Sequence, residues 1–298
     1  MILLERNIRL PIFSDEPEKQ RGWHGEQLKK SFAKHDIEVI FISLQDCYLS
    51  LTGGQSVILP TFDKLPKAVF VRSIAGGTLQ QITMRLNILH VLKLQNVKVY
   101  NEPRAIERTV DKAMTSFLLH RNGIAIPKTW ACESRHTAQN IIQKSHKKLL
   151  IKPIFGSQGT GVRLLEKDAL PMPQEIFVDG VYYLQQFIDS GDNPHDYRVF
   201  IINHQAIATM KRSGNTWINN VAKGAQCEQV EDIEITKLAE LASNIMDLDY
   251  CGVDIIRDQF GKLYVLEVNS IPAWRGLQGV TQVNIADALV DDLLFKMI

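Results

Sequence analysis

Three side chains that offer hard oxygen ligands stand close together near the end of the chain. Asp254 lies in one apolar run, and Glu267 and Asn269 lie two residues apart in the next. Alternate residues of a strand share a face, so a hairpin of these two runs places the three side chains together. Carboxylate and amide oxygens are the ligands that Mg²⁺ prefers, and phosphates and water complete its coordination. The spacing indicates a metal site that serves a nucleotide, but ordinary solvent-facing charges on a half-exposed hairpin fit the same pattern.

A glycine-rich loop follows a strand lysine in the middle of the chain. Lys152 ends an apolar run, and Gly156, Ser157, Gly159 and Gly161 follow within nine residues. Glycines let backbone N–H groups approach phosphate oxygens, and a nearby lysine supplies a positive charge. The loop is neither a Walker loop nor a dinucleotide fingerprint, because no Gly-Lys-Ser/Thr follows and the glycines lie in a hairpin. It predicts a phosphate-binding loop, with a flexible turn beside a surface lysine as the alternative.

Acidic and basic residues alternate on two further predicted strands. Asp196 and Arg198 share a face of one strand, and Arg212 ends the next. One interpretation is an exposed cross-strand salt bridge, worth at most about 1 kcal/mol. The other is a cationic group that stabilises charge on a phosphoryl group in transfer. Proximity to the metal site favours the second interpretation.

The elements that must hold these groups follow from hydrophobic periodicity. The first hundred residues alternate helical and strand patterns, which is typical of a parallel sheet flanked by helices. The later part predicts a helix over 105–122 ending at Gly123, a hairpin around the glycine loop, and a hairpin over 251–268. Residues 182–188, 197–202 and 206–211 suggest three strands of one antiparallel sheet. Helices are expected over 22–35, from Leu79 onward, around 238–245 and over 285–298.

Composition excludes several classes of protein. The chain has 298 residues, and its 34 Lys and Arg balance 33 Asp and Glu for a net charge of +1. No overall field therefore favours nucleic acid or an anionic membrane as a partner. The four cysteines are widely spaced, with no secretory leader and no apolar run of about 18 residues that would span a bilayer. We expect a folded cytoplasmic protein with reduced thiols and no membrane segment.

The order of the motifs resembles that of the ATP-grasp ligases, and most closely the RimK-type glutamate ligases. The resemblance covers roughly residues 101–298 and rests on seven motifs: Asp111-Lys112, Gly123 to Thr129, Ile151 to Val162, Gln185 to Ile188, Asp196-Tyr197-Arg198, Gly252-Val253-Asp254 and Leu266 to Ser270. The first hundred residues are similar more loosely, through His24-Gly25, Val71-Arg72-Ser73 and Asn96 to Asn101. This implies an N-terminal α/β domain (1–101), a central lid domain (102–184) and a C-terminal antiparallel-sheet domain (185–298). The nucleotide is expected between the last two.

The resemblance also implies a role for individual residues. Lys112, Lys152 and the glycine loop would contact the ATP phosphates, with Arg212 at the γ-phosphate. Further expected contacts are as follows: Gln186 and Phe187 at adenine, Asp196 at the ribose, Asn219 and Asn220 at the nucleotide, and Asp254, Glu267 and Asn269 at two Mg²⁺ or Mn²⁺ ions. The chain departs from the family at three places: Gln186 replaces a usual Glu, Ile218 replaces a usual Arg, and Ile271 to Gly276 replaces a usual Pro-Gly.

ATP-grasp ligases convert a carboxylate into an acyl phosphate, which an amine then attacks to form an amide. The resemblance implies L-glutamate as the amine, and Arg72, Arg85 and Arg275 are candidates for its carboxylates. The acceptor is expected to be a protein C-terminus, a peptide or a cofactor tail. The stretch from Arg72 to Asp111 is similar to family members that glutamylate pterins such as tetrahydromethanopterin. The alternatives are a ligase for another amino acid and an ATP-binding regulatory protein without turnover, and a homo-oligomer stays open.

Overall fold

The computed structural model describes residues 8–15, 22–156, 161–166, 170–175, 178–214 and 226–297. These residues form three main sheets, one parallel and two antiparallel, with helices packed against them. The predicted mixed α/β class is confirmed. Within the described ranges, no helix is long and apolar enough to cross a membrane.

The first sheet is parallel, as the alternating pattern predicts. Its strands are β1 (Ile8–Phe13), β2 (Ile37–Ile42), β5 (Ala68–Val71) and β6 (Lys98–Tyr100), in the order β2-β1-β5-β6. Helices α1 (Gly22–Ala33) and α2 (Leu79–Leu94) flank it, and a small hairpin of β3 (Tyr48–Leu49) and β4 (Val57–Ile58) follows a 3₁₀ turn over Leu44–Asp46. The chain adds β2 on one side of β1 and then returns to add β5 on the other side, so the strand order reverses between β1 and β5. That gap is the topological switch point of the sheet.

The predicted helix over 105–122 is two helices, and this expectation is wrong in one respect. Helix α3 (Pro103–Val110) ends and α4 (Lys112–Arg121) begins at Asp111. The backbone of Asp111 is extended, and its Oδ1 accepts hydrogen bonds from the N–H groups of Ala113 and Met114 at 2.8 and 3.0 Å. A side chain that caps a helix in this way favours a new start over continuation. Lys112 is therefore the first residue of α4.

The second sheet is antiparallel and small. Its strands are β7 (Thr129–Cys132), β10 (Tyr182–Gln186), β8 (Leu149–Lys152) and β9 (Arg163–Leu165), in the order β7-β10-β8-β9, with α5 (Arg135–Lys144) packed on it. The hairpin around the glycine loop is confirmed. The grouping of 182–188 with the next two strands is wrong, because β10 pairs on both sides with β7 and β8. The predicted domain boundary at 184–185 falls inside β10.

The third sheet is the largest and carries most of the polar motifs. Its strands are β13 (Gln226–Gln229), β12 (Gln205–Ser213), β11 (His195–Ile202), β14 (Tyr250–Arg257) and β15 (Leu263–Asn269), in that spatial order and all antiparallel. Helix α6 (Ile233–Met246) covers one face. The predicted 251–268 hairpin is confirmed as β14 and β15.

The first and third sheets share one core. Buried rings from both sheets and from the loop after β15 contact one another: Phe70, Tyr100, Phe200, Tyr250 and Trp274. The short helix α7 (Arg275–Gln278) and the final helix α8 (Ile285–Phe295) close this core. On α8, Asp287 accepts hydrogen bonds from Ser31 Oγ and Lys34 Nζ near the end of α1. The shared core holds the C-terminal ends of β1 and β5 against the third sheet.

Candidate active site

Side chains from four neighbouring strands meet on one face of the third sheet. Asp196 of β11 lies directly opposite Arg212 of β12. Two residues further along β11, Arg198 lies opposite Asp254 of β14, which lies opposite Glu267 of β15. Directly paired residues share a face, so strand pairing brings these five side chains together. We call them the charged cluster.

Two arginines and two aspartates of the charged cluster are locked together. Arg212 donates from Nε and Nη2 to the two oxygens of Asp196, at 2.6 and 2.9 Å. Its Nη2 also lies 3.0 Å from Asp254 Oδ1. Arg198 donates to both oxygens of Asp254, with Nη2 at 2.6 Å from Oδ2. Because Asp196, Arg212 and Asp254 are all buried, the interpretation as an exposed salt bridge is wrong.

Burial and ion pairing act in opposite directions on these carboxyl groups. Burial disfavours the ionised form of Asp254, but Arg198 and Arg212 outweigh it and hold the pKa of Asp254 well below its ordinary value. Burial raises the pKa of Asp196 to about 6 against the opposing charge of Arg212. Burial also disfavours the charged form of Arg212, but Asp254 and Asp196 raise its pKa. Asp254 and Arg212 therefore stay charged at neutral pH.

The candidate metal ligands come together as predicted. Glu267 lies opposite Asp254, and Asn269 Nδ2 donates to Glu267 Oε1 at 2.9 Å. Each carbonyl or carboxylate oxygen has two lone pairs, so the oxygens of Asn269, Glu267 and Asp254 can still accept a cation beside these hydrogen bonds. Within the described ranges, no three His, Cys, Asp or Glu side chains could hold a metal by themselves. The oxygen set fits a hard cation such as Mg²⁺ that takes its remaining ligands from phosphate and water.

Two lysines approach the charged cluster from the second sheet and from α4. Lys112 Nζ donates to the carbonyl of Gly156 at 2.8 Å, and Lys152 Nζ donates to Gln185 Oε1 at 2.6 Å. Burial lowers the pKa of both lysines, and Glu267 opposes this effect in both. Lys112 further lowers the pKa of Lys152, so the two ammonium groups and Glu267 lie near one another. The residues that the sequence assigns to phosphates and to the metal therefore converge.

Gln185 is a site residue to which the sequence analysis assigns no role. Its side chain is buried beside Lys152, because β10 pairs with β8. While Oε1 accepts from Lys152, Nε2 donates to Thr129 Oγ1 at 3.2 Å and to the Tyr183 hydroxyl at 3.3 Å. Tyr183 in turn shares a hydrogen bond of 2.8 Å with Ser116 Oγ. Both ends of the amide are used, which fixes its orientation and the position of the lysine.

A pocket lies between the end of β10 and the third sheet. Phe187, Ile188, Asp196, Ile256 and Leu266 are among the residues that line it. The backbone at the end of β10 is anchored, since the N–H of Gln186 donates to the Lys128 carbonyl at 2.8 Å and the N–H of Phe187 donates to the Lys148 carbonyl at 2.9 Å. Two carboxylates, those of Asp189 and Asp196, also line it, and apolar walls with a few polar groups suit a flat heterocycle that carries a sugar.

The remaining nucleotide candidates divide into two groups. Ser157, Gly159, Asn219 and Asn220 lie outside the described residues, as does the departure at Ile218. Gly156 and Gly161 have φ values of +135° and +75°, a region in which glycine is strongly preferred.

The three candidate substrate arginines do not lie in one place. Arg72 and Arg275 both lower the pKa of His24 by their charge, so both guanidinium groups lie near this imidazole. Arg85 is buried and donates to the carbonyls of Ala75 and Gly76 at 2.5 and 2.9 Å. Its guanidinium therefore holds the loop before α2.

Solved structures show the same fold. The ATP-grasp ligase PsnB complexed with a minimal precursor matches with a TM-score of 0.74 and 21% identity, over 98% of this chain and 100% of that one. The complex of PsnB with a phosphomimetic precursor variant, Mg and ADP also gives 0.74, at 20% identity over 98% and 99%. At these identities the likeness establishes the fold alone.

Sequence comparison gives a family and named relatives. The model of the RimK-like ATP-grasp domain matches residues 109–293, which include the whole charged cluster. Tetrahydromethanopterin:alpha-L-glutamate ligase of Methanocaldococcus jannaschii is 39% identical over 68% of this chain and 73% of that protein. The Methanococcus maripaludis protein of the same name is 30% identical over 96% and 98%. A "Probable alpha-L-glutamate ligase" of Maridesulfovibrio salexigens is 31% identical over 85% of both chains.

Proposed function

The chain belongs to the RimK-like ATP-grasp family and is an ATP-dependent ligase, and we propose that it joins L-glutamate to a carboxylate of an acceptor molecule. The observation that carries this proposal is the convergence of Lys112, Lys152 and Arg212 with Asp254 and Glu267 on one face of the third sheet. Such a site offers positive charge to phosphates and oxygen ligands to a divalent metal. Phosphoryl transfer depends on positioning and charge neutralisation, which these groups supply.

We assign the nucleotide to the space between the second and third sheets. The pocket beside Phe187 would take the adenine, with Gln186 at the hinge and Asp196 toward the ribose. Lys112, Lys152 and the loop from Gly156 to Gly161 would hold the phosphates, together with Asn219 and Asn220. Asp254, Glu267 and Asn269 would hold one or two Mg²⁺ or Mn²⁺ ions. When bound, the metal supplies charge neutralisation to the phosphate oxygens.

The proposed reaction has two steps. A carboxylate oxygen of the acceptor attacks the γ-phosphorus of ATP, the bond to the β-phosphate oxygen breaks, and ADP leaves. The amine of glutamate then attacks the acyl carbon, a C–N bond forms, inorganic phosphate leaves with the former carboxylate oxygen, and the amine loses a proton to water. Asp196 and Asp254 are each paired with an arginine and Glu267 is assigned to the metal, so the arrangement favours direct transfer to the acceptor carboxylate over a covalent protein intermediate.

The acceptor that the relatives favour is a pterin cofactor with a free carboxylate. The two archaeal relatives carry tetrahydromethanopterin in their names, and one of them aligns with 96% of this chain. The name of the bacterial relative also contains glutamate, but it specifies no acceptor. We therefore propose L-glutamate as the amine and tetrahydromethanopterin as the first acceptor to test. A protein C-terminus or a peptide is the alternative acceptor.

Mass spectrometry of purified protein with ATP and Mg²⁺ tests the proposal. The panel pairs tetrahydromethanopterin or a glutamyl peptide with L-glutamate, D-glutamate, L-aspartate, L-glutamine and L-alanine. We expect a mass increase of one glutamyl residue, with ADP and phosphate as the other products. Heavy oxygen in the acceptor carboxylate is expected to appear in the phosphate. AMP and pyrophosphate would contradict the mechanism, a different amino acid would contradict glutamate, and no phosphate release with any pair would indicate a protein without turnover.

Glu267→Gln tests the metal assignment. The change removes one negative charge from the proposed metal site and keeps the size of the side chain. We expect turnover to fall at least about 100-fold, as for loss of a group that stabilises transition-state charge, with an unchanged circular dichroism spectrum. The matched control is Glu228→Gln, since Glu228 is 62% exposed and pairs with Lys211 at the surface. Near-normal ATP consumption by Glu267→Gln would contradict the assignment.

A further inference from the structure

The switch point of the first sheet lies directly beside the shared core and is not used by the nucleotide site. The carbonyl of Phe13 at the end of β1 accepts hydrogen bonds from the N–H groups of Arg72 and Ser73, at 2.9 and 3.1 Å. Ser73 Oγ also accepts from the N–H of Asp15 at 2.9 Å. Ligands of open α/β sheets bind at this position, outside the carboxyl ends of the strands. The fold therefore places Arg72 where a ligand of the first sheet is expected.

Two further polar groups face Arg72 from different elements. His24 lies in the first turn of α1, and Arg275 begins α7 in the loop that departs from the family pattern. Trp274 contacts two of them and directly precedes Arg275: its backbone N–H donates to His24 Nε2 at 3.1 Å, its ring lies 4.5 Å from the imidazole, and the Arg72 guanidinium lies 5.2 Å from the ring. Trp274 is 1% exposed, so it is a rigid support.

The protonation state of His24 makes it a donor at this place. Burial, Arg72 and Arg275 lower the pKa of His24 to about 3, so the imidazole is neutral at physiological pH. Because Nε2 accepts from Trp274, the single proton resides on Nδ1. Among the described residues, none accepts a hydrogen bond from Nδ1, and none forms an ion pair with Arg275. Two guanidinium groups and a neutral N–H donor are the chemistry that binds a carboxylate.

The loop that carries Arg275 also lies close to the charged cluster. Gly252 on β14 faces the loop after β15, and a Cβ added there would lie 2.9 Å from Pro272 Cβ and 3.0 Å from Arg198 Nη1. Pro272 of the loop that carries Trp274 and Arg275 therefore lies on the same side of Gly252 as Arg198, the partner of Asp254.

We propose that His24, Arg72 and Arg275 form a carboxylate subsite for one of the two substrates of the ligase, with the Nδ1–H of His24 and both guanidinium groups as donors. This inference rests on the proposed function for the identity of the substrates. The carboxylate belongs to the incoming dicarboxylic amino acid or to the acceptor, and the experiment separates the two.

Imidazole NMR of the whole protein, labelled with ¹⁵N-histidine, measures binding without turnover. The signal of His24 is assigned from its loss in His24→Gln. L-glutamate, glutarate, the neutral glutaramide and inorganic phosphate are titrated at constant ionic strength, first alone and then with a non-hydrolysable ATP analogue and Mg²⁺. We expect a saturable shift of the His24 signal with a dicarboxylate and none with glutaramide. Phosphate producing the same shift at the same concentration would overturn the carboxylate assignment.

Arginine variants tie the shift to the subsite. Arg72→Gln and Arg275→Gln are each expected to weaken dicarboxylate binding at least about tenfold, the effect of one charge-assisted hydrogen bond. The matched control is Arg9→Gln, because the Arg9 guanidinium also covers a ring, that of Phe62 at 5.1 Å, near the start of β1. It should change nothing. Equal binding by wild type and both subsite variants would overturn the proposal.

Steady-state kinetics assign the carboxylate to its source. A rise of at least tenfold in KM for L-glutamate alone, in Arg72→Gln and Arg275→Gln, assigns the subsite to the amino acid. The same rise for the acceptor alone, with His24 responding to glutarate and not to L-glutamate, assigns it to the acceptor. Glutamate ligation without any His24 response overturns the subsite and leaves the proposed function standing. A His24 response without ligation does the reverse.

Discussion

Arg212 and Asp196 face each other across β12 and β11 and make two parallel hydrogen bonds, at 2.6 and 2.9 Å. The same guanidinium reaches Asp254 on β14 at 3.0 Å, so one side chain connects three strands. The planar guanidinium group of arginine can make these contacts simultaneously, whereas the donors of a lysine ammonium group all lie on one nitrogen. The orientation of Arg212 is thus set by the protein before any nucleotide arrives.

Arg212→Lys should separate charge from geometry. The lysine keeps the positive charge but cannot make the two contacts to Asp196 together with the one to Asp254. We expect a fall of at least about tenfold in kcat, measured as ADP release, with little loss of fold. Arg212→Ala leaves two buried carboxylates without this partner and should lower the free energy of unfolding by about 3–5 kcal/mol in urea.

Lys211→Ala is the control for both Arg212 variants. Lys211 is the adjacent residue of β12 and pairs with the exposed Glu228, so its loss should cost less than about 1 kcal/mol and leave kcat unchanged. Full kcat in Arg212→Lys would show that charge alone is sufficient at this position.

Gln185 should control the ionisation of Lys152. In Gln185→Leu the buried ammonium loses its acceptor, so the pKa of Lys152 should fall further and the alkaline limb of kcat/KM should move to lower pH. Gln185→Glu places a carboxylate beside the ammonium and should move that limb to higher pH. We also expect kcat to fall about tenfold or more in Gln185→Leu.

The control for the Gln185 variants is Gln205→Leu, an exposed position at the start of β12. A merely structural role for Gln185 would lower kcat in both variants and leave the pH limbs in place. Opposite displacements of the limb in the two variants are the signature of a residue that acts through Lys152.

Strand parity along β15 explains why part of the site was predictable, because Glu267 and Asn269 are two residues apart and share a face. The register set by the turn, with Ile255 opposite Val265, would place Leu266 opposite Asp254, and a bulge between Asp254 and Ile255 brings Glu267 there instead. The pairing of β10 was not predictable in the same way, because its apolar pattern fits an inner position in either antiparallel sheet. Its partner β7 is four residues long and half-exposed, with no strong pattern of its own.

The missed residues owe their roles to contacts between distant parts of the chain. Gln185 can be assigned a role only because the fold places it beside Lys152. His24 can be assigned one only because it contacts Trp274, which is 250 residues away in the chain. Arg85 illustrates the reverse, because a charge on a predicted amphipathic helix was expected near the substrate and is buried against loop carbonyls. Local patterns predict elements and faces, whereas pairs of this kind depend on how the sheets pack.

Asn101 should be among the most sensitive polar positions outside the site. Its fully buried side chain donates to the carbonyls of Tyr250 and Ser270 at 2.7 and 2.6 Å, and accepts from the N–H of Tyr250 at 3.0 Å. Asn101→Ala leaves buried backbone groups unpaired and should lower the free energy of unfolding by about 2–4 kcal/mol. The exposed Asn122, which donates to the Leu118 carbonyl, provides the control, and Asn122→Ala should cost less than about 0.5 kcal/mol. A similar decrease in the free energy of unfolding for the two variants, measured in urea, would contradict the role of Asn101 in joining the segments around Tyr250 and Ser270.

His24 should make the protein sensitive to mild acid. Burial and the two nearby arginines lower its pKa from 6.5 to about 3, so between these values the unfolded chain binds a proton that the folded chain does not. The free energy of unfolding therefore rises with pH in this window. The part of it that the neutral His24 contributes is lost as pH falls from 6.5 toward 3. The slope from one such group is at most about 1.4 kcal/mol per pH unit.

His24→Gln keeps an acceptor for the backbone N–H of Trp274 and removes the titrating group, so the unfolding free energy of the variant should depend less on pH between 6.5 and 4.5. Urea unfolding at several pH values, with His146→Gln as an exposed control, measures the difference in slope. An identical pH dependence in wild type and His24→Gln would mean that His24 takes up its proton in the folded state, and hence that Arg72 and Arg275 do not act on it as the structure indicates.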